Sequence, residues 1–467
     1  MGLSALLRPL AGLWSIFAAF AFAGGMLSAM LSEGHLAPLF IAAAVGAGVP
    51  GVLILMATRG MKVKASAVEA VLLALAAWVT IPAAAALPFY LSGYFDGADA
   101  LFEAYSAVTT TGAILIPPEE LPRSLLLWRA MLSWLGGYST LLLATAVFAA
   151  LDRNLPAIRR SALLTIRPDD VFSHLRLASS RIALLYSLLT GGLAVMLMLS
   201  GQAPMDSIVY AMGALSTGGY APVSGGLAEH MNGLGIFFLA TGCLAGALNI
   251  SIFWDALRDK TALLDPDLVG IGALIAGVAV VFYLSEPEPI LRHLADALFD
   301  VTTAGYSLNH SLSAAPVAAL FAALIGGAAA STTGGVKMSR ILLLWRRMGS
   351  ELSVLADPSS IVPVEFRGRL ATDKALISVW AYVLAFIMTL AVGTVVLAIA
   401  GTSFLDGFTA VSAGLANAGP IYDTMAEGLA WTNLSVEART LLIPVMILGR
   451  LEVIAALTAL WALFFRR

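Results

Sequence analysis

Mostly apolar stretches of about 20 residues, the length that carries an α-helix across a hydrocarbon layer about 30 Å thick, recur throughout this 467-residue chain. Reading each run against its charged flanks gives ten expected spans, at about 10–31, 36–58, 66–91, 124–150, 177–200, 232–255, 263–284, 314–346, 376–400 and 440–465. Hydrophobic residues make up 60% of the chain and charged residues 12%, against about 45–50% and about 25% in soluble domains. Lipid is therefore the expected solvent, and no separate soluble domain is expected. The first run leads directly into the second with no small-residue cleavage site, which predicts a retained helix and not a signal peptide. Cys243 is the only cysteine and lies in an apolar run, so no internal disulfide framework exists and packing is its expected role.

The net charge of −3 constrains little, but the placement of charge does. With the N-terminus in the cytoplasm, most of the 26 Lys and Arg residues fall on the cytoplasmic side. These include Arg8, Arg59, Lys62, Lys64, a basic run over 153–167, Arg258, Lys260, Lys337, Arg340, Arg346, Arg347, Arg367, Arg466 and Arg467. Arg123, Arg129, Arg292 and Arg439 are left near the outer interface, and Arg450 within a span. Both chain ends are then cytoplasmic. Carboxylates collect outside, among them Glu33, Asp96, Asp99, Glu103, Glu119, Glu120, Asp206, Glu229, Glu286, Glu288, Asp406, Asp423 and Glu427. They form either an acidic mouth that concentrates cations or a merely soluble outer surface.

Four outer connections each hold a semi-apolar segment too short to span, followed by a small-residue turn, the pattern of a re-entrant loop. The turns run 107–113, 214–220, 300–306 and 414–420 and align on Gly112, Gly219, Gly305 and Gly419. The unit is helix, re-entrant segment, turn, helix, and four copies predict a pseudosymmetric assembly about one axis. Glycine permits the backbone angles that turn successive carbonyls inward, and a ring of carbonyls can replace the water shell of K⁺. Thr109, Thr110, Thr111, Ser216, Thr217, Thr302 and Thr303 add hydroxyls without charge. Asp99, Asp206 and Asp406 stand near the N-terminus of three of the short segments, a favourable place for an anion, and the C-terminal ends would present partial negative charge to a cation. For any single turn, ordinary helix packing by small residues explains the composition equally well.

With these residues in view, the chain resembles the Trk/Ktr/HKT superfamily of potassium transporters, most closely its TrkH-like branch. The resemblance covers nearly the whole chain. It rests on the segments 106–113, 215–220 and 301–306, on Trp134-Leu-Gly-Gly137, on the small-residue run 326–335, and on Leu448-Gly-Arg-Leu-Glu452. It implies an all-α polytopic membrane protein with four pseudosymmetric helix–pore-loop–helix repeats around one ion pathway, preceded by two extra N-terminal transmembrane helices. The expected divisions are 1–64 for the two helices, then 65–153, 154–261, 262–350 with an intramembrane gate loop, and 351–467. It implies a selectivity filter built from Thr109, Thr110, Thr111 and Gly112, from Ser216, Thr217, Gly218 and Gly219, from Thr302, Thr303, Ala304 and Gly305, and from Ala416, Asn417, Ala418 and Gly419. A gate is implied at Gly326, Gly327, Gly334, Gly335 and Lys337, with Arg450 projecting towards it. A homodimer with one pore per subunit, a cytosolic nucleotide-binding ring (TrkA-like) as regulator, and a place in a bacterial inner membrane also follow from the resemblance. K⁺ is then the permeant ligand, with no organic cofactor and no nucleic-acid partner. Glycine at all four aligned positions matches the K⁺-preferring pattern of the family, in which serine at the first accompanies Na⁺ preference. Two departures stand out: the fourth turn lacks threonine, and Arg292 occupies the third repeat's equivalent of the acidic position.

Arg450 in an otherwise apolar run is costly to bury, by at least about 2.5–3.5 kcal/mol, and is read as functional or as half of an ion pair. Asn249 is read as a packing residue or as part of the lower pore. The rival functions are a K⁺ symporter coupled to H⁺ or Na⁺, a cation channel that does not separate K⁺ from Na⁺, a membrane enzyme and a closed structural subunit. Coupling calls for titratable groups at mid-membrane, where Glu69, Arg450 and Glu452 are the main candidates. An enzyme is disfavoured because His35, His174, His230, His293 and His310 show no ligand spacing. No nucleotide-binding motif is present, so nucleotide control would come from a separate protein docking on the basic loops 153–167 and 340–374.

Overall fold

The structure is a computed structural model that describes residues 3–59, 67–150, 171–256, 258–309, 313–360, 362–451, 453, 456–457 and 461. Lys62, Lys64, the basic run 153–167, His310, Glu452, Arg466 and Arg467 lie outside the described residues. The described residues are helical apart from one two-stranded hairpin. Two apolar helices, α1 (Leu3–Met30) and α2 (Ala37–Ala57), form an antiparallel pair, and both pack on the following helices.

Four helical units follow. The first comprises α3 (Ala67–Ala85), α4 (Leu87–Leu91), α5 (Gly97–Val108) and α6 (Arg123–Ala150). The second comprises α7 (Val171–Leu199), α8 (Pro204–Leu215), α9 (Leu227–His230), α10 (Gly233–Ala247) and α11 (Ile250–Ala256). The third runs through α12 (Pro266–Ser285), α13 (Ile290–Val301), α14 (Pro316–Ile325) and α15 (Met338–Ala356). The fourth holds β1 (Glu365–Phe366), β2 (Arg369–Leu370), α16 (Asp373–Ile399), α17 (Phe404–Ala416), α18 (Gly419–Thr424) and α19 (Val436–Leu451). At 12 or 13 residues, α5, α8, α13 and α17 are too short to cross a bilayer. Their neighbours close a cycle: α6 packs on α7 and α8, α10 on α13, α14 on α17, and α19 on α5.

Among the described residues, six helices are long and apolar enough to cross a membrane, or seven if α10 and α11 count as one span. Their outward faces are apolar, with Leu199, Leu284, Ile377, Val395 and Ile399 exposed, as a lipid-facing surface requires. Two of the ten expected spans are broken. The sixth bends by 99° between α10 and α11. Asn249 sits at that bend, buried, with its Oδ1 accepting from the Ser251 N–H, so it caps α11. The eighth is interrupted as expected, by the loop 326–337 between α14 and α15.

Several of the carboxylates assigned to the outer side are bonded within the protein. Glu103 is fully buried against Arg129, Nε to Oε1 2.5 Å, and Arg129 is itself inaccessible and not at an interface. Asp99 accepts from Arg439 at 2.8 Å. Glu33 accepts from the N–H groups of Arg123 and Ser124, holding the start of α6. Glu119 takes the N–H and hydroxyl of Ser224, tying the first unit to the second. In the hairpin turn, Arg367 reaches both Asp265 (2.7 Å) and Asp267 (2.8 Å) at the start of α12, and Asp267 also accepts from Ser339 in the first turn of α15.

Candidate functional site

The four short helices end in the same way. A helix commonly stops on a residue in the left-handed region, usually glycine and sometimes asparagine, whose neighbours bond back to the last carbonyls. Here that residue is Thr110 (φ 52°), Thr217 (φ 53°), Thr303 (φ 58°) and Asn417 (φ 49°), each two positions before its aligned glycine. The N–H groups of Thr110 and Thr111 bond to Ala107 and Ser106, those of Thr217 and Gly218 to Ala214 and Gly213, and those of Asn417 and Ala418 to Gly414 and Ala413. The third end bonds Thr303 to Asp300 in the same way and then Gly305 to Phe299. A β-branched residue with positive φ is an outlier that costs about 1–3 kcal/mol, and its occurrence three times at one register position marks a functional constraint. The sequence could not announce it, because threonine is a poor residue for that conformation.

The aligned glycines then bring the turns together. Gly112, Gly219 and Gly305 also have positive φ, whereas Gly419 does not and instead opens α18, so the fourth turn departs in backbone as well as in composition. A Cβ built on Gly112 would lie 2.1 Å from the Gly218 carbonyl oxygen, and one on Gly219 would lie 2.1 Å from that of Ala304. One on Gly305 would meet the Pro420 ring at 2.9 Å, and one on Gly419 the Thr111 oxygen at 2.7 Å. The first turn thus touches the second, the second the third, the third the fourth and the fourth the first. Glycines of the following helices let the helix ends sit this deep: Gly136 faces the Val108 carbonyl, Gly246 that of Leu215 and Gly449 that of Leu415, each with no room for a side chain.

The expected filter hydroxyls are mostly engaged within the protein. Thr109 Oγ1 donates to the Tyr105 carbonyl at 2.6 Å and sits 2.8 Å from Thr111 Oγ1. Thr217 donates to Ser216, and Thr302 to Phe299. Asn417 Nδ2 bridges Thr111 Oγ1 and the Met446 carbonyl, both at 3.0 Å, so asparagine in the fourth turn ties it to the first and to α19. All these side chains are buried.

The loop 326–337 lies directly against the second, third and fourth turns and is tied to the first through Arg450. Gly326 and Gly335 have positive φ, as does Lys337 (φ 83°). The bend between α10 and α11 exposes the carbonyls of Gly246 and Ala247, which accept from the N–H groups of Thr332 and Ala328, and a Cβ on Gly327 would press on Ala247. Thr332 Oγ1 reaches the Leu215 carbonyl at 2.9 Å, and the Gly334 N–H reaches Thr303 Oγ1 at 3.2 Å. A Cβ on Gly334 would overlap the Ala416 carbonyl. Lys337 Nζ folds back onto the Thr333 carbonyl. Arg450, almost fully buried, donates to the carbonyls of Thr109 and Thr110 in the first turn and of Thr332 and Thr333 in the loop. All four of these acceptors are backbone carbonyls.

A family model described as a TrkH cation transport protein matches residues 50–267 and 295–463. The Trk system potassium uptake protein TrkH of Vibrio parahaemolyticus is 28% identical over 477 residues, covering 95% of this chain and 98% of that one. Its namesake in Salmonella typhimurium is 27% identical over 453 residues, covering 91% of each. The crystal structure of the potassium transporter TrkH from Vibrio parahaemolyticus superposes with a TM-score of 0.88 at 25% identity, over 100% of both chains. A broken helix, short helices ending on left-handed caps and apolar outer faces belong to one inherited membrane architecture, and the chain belongs to the TrkH family of cation transport proteins.

Proposed function

We propose that this chain is the pore-forming subunit of a potassium uptake system, a transport protein and not an enzyme. The observation that carries this reading is the closed ring of four similar helix ends, with a residue in the left-handed region at one register position in each, threonine in three of them. Strained backbone at membrane depth is tolerated where it lines a cavity, and a ring of carbonyls is the group that replaces the hydration shell of K⁺. In this reading the four repeats, at 65–153, 154–261, 262–350 and 351–467 after the two helices of 1–64, surround one ion pathway. The filter is Thr109–Gly112, Ser216–Gly219, Thr302–Gly305 and Ala416–Gly419. The loop carrying Gly326, Gly327, Gly334, Gly335 and Lys337 closes the path beneath, and Arg450 holds filter and loop together with a positive charge that opposes cation passage. The protein acts in a bacterial inner membrane with both ends in the cytoplasm, as a homodimer governed by a cytosolic nucleotide-binding ring, and K⁺ is its cargo.

Purified protein in liposomes should take up radioactive Rb⁺ against a K⁺-filled interior, with K⁺ competing better than Na⁺. Arg450→Ala should raise the basal flux, because it removes both the charge and the tie between filter and loop. An imposed H⁺ or Na⁺ gradient that drives Rb⁺ accumulation would instead mark coupled transport. No flux in either protein would overturn the reading.

A further inference from the structure

The chain leaving each filter turn must be held, or the carbonyls before it can rotate away, and the four repeats do so in three ways. In the second, Tyr306 Oη donates to the Tyr220 carbonyl at 2.9 Å. In the fourth, Trp431 Nε1 donates to the Gly419 carbonyl at 3.1 Å. The first and third use a carboxylate from their own short helix at one shared register. Glu103 stands nine residues before Gly112 and Asp296 nine before Gly305. Glu103 Oε2 accepts from the N–H of Leu115 at 3.2 Å, three residues after its glycine, and Asp296 Oδ1 accepts from the N–H of Leu308 at 3.0 Å, three residues after its own. The equivalent positions in the other repeats are Tyr210 and Ala410, which carry no carboxylate. In the cycle of repeats the first and third stand opposite each other.

We propose that Glu103 and Asp296 are positioning residues that clamp the outgoing chain of two opposed filter turns and thereby set ion selectivity. The inference rests on the reading of the four turns as a filter. In the first repeat Arg129 completes the clamp, pairing with Glu103 while its Nη2 donates to the Ile116 carbonyl at 3.0 Å. A fully buried ion pair is often no more stabilising than apolar residues of the same volume, so its presence here is explained by what it positions. Each clamp fixes the peptide plane three residues beyond the filter glycine. Released, that peptide can turn, and the carbonyl ring behind it loses the fixed geometry that separates K⁺ from Na⁺.

The test compares wild type, Asp296→Ala, Asp296→Asn and the double variant Glu103→Ala/Arg129→Leu, which leaves no orphaned charge. Two readouts are taken in proteoliposomes: Rb⁺ uptake in competition with Na⁺, and amide hydrogen exchange of the peptides containing Leu115 and Leu308. Asp296→Ala should lower the preference for Rb⁺ by roughly tenfold, the scale of one lost charged hydrogen bond, and speed exchange only at the Leu308 peptide. Asp296→Asn keeps an acceptor and should restore both to within roughly twofold of wild type. The double variant should act in the same way at Leu115, and where it fails to fold the Asp296 pair carries the test. Faster exchange with unchanged preference overturns the selectivity role, and unchanged exchange overturns the clamp. Loosening throughout the chain reduces both residues to a structural role. A wild type that carries no cation sinks the functional reading alone, since the exchange measurement still decides the clamp.

Discussion

At the scale of single residues, the site is governed by what a Cβ may touch. Gly219→Ala would force a methyl group to 2.1 Å from the Ala304 carbonyl at a backbone angle that side chains avoid. Such strain costs about 1–3 kcal/mol before the clash is counted, so Rb⁺ flux should be lost and thermal stability should fall. Gly191→Ala, within α7 and facing open space, should leave flux intact and raise stability by up to about 1 kcal/mol. Melting curves and uptake of the two variants side by side check both expectations. Glu119 gives a pH signature: partial burial pushes its carboxyl upward, but the N–H and hydroxyl of Ser224 outweigh this and hold it below the usual range. A depressed pKa in the folded state means the Glu119–Ser224 tie contributes fully above the unfolded value and is lost as pH falls through the folded one. Limited proteolysis of the segments around 117–120 and 224–230 should therefore stay constant down to about pH 4 and rise only below it. The aligned glycines were legible in the sequence because all four stand at one register position after a short semi-apolar segment. The left-handed threonines were not, since nothing local favours them and only the packed ring holds them.

Among the elements, long apolar runs were legible as spans and the interrupted eighth span as a loop, because periodicity and hydropathy report burial. The bend between α10 and α11 was not, because Gly246, Ala247 and Leu248 keep the run apolar through the break. Asn249 was the one mark of a cap there, and it reads equally well as a packing residue. The hairpin of β1 and β2 was also invisible, being two residues wide on each side. It nevertheless joins the start of α12 to the start of α15 through Arg367, Asp265, Asp267 and Ser339. Arg367→Ala removes a guanidinium shared by two largely buried carboxylates, a change that costs about 3–5 kcal/mol. Hydrogen exchange should quicken in the first turn of α15 and in the loop 326–337 while the four helix ends stay protected, and equal protection throughout would show that the hairpin does not brace the loop.

Over the whole molecule, the all-helical membrane architecture could be read from composition and from apolar runs, because it depends on patterns repeated over long stretches. Residues that join one repeat to another escaped that reading. Asn417 and Tyr306 are the clearest cases, each bonding to a repeat other than its own. Arg129 escaped it too, its position beside an outer connection suggesting an interface, and only the fold reveals Glu103 as its partner within the first repeat. Because all four walls of the ring are written into a single chain, each is inherited separately. A channel assembled from identical copies must accept any substitution in every wall at once, whereas here one codon alters one quarter. The fourth wall carries Asn417 where the other three carry Thr110, Thr217 and Thr303. Such a ring can be retuned one side at a time, so natural relatives should differ most in one wall while the other three hold the shape.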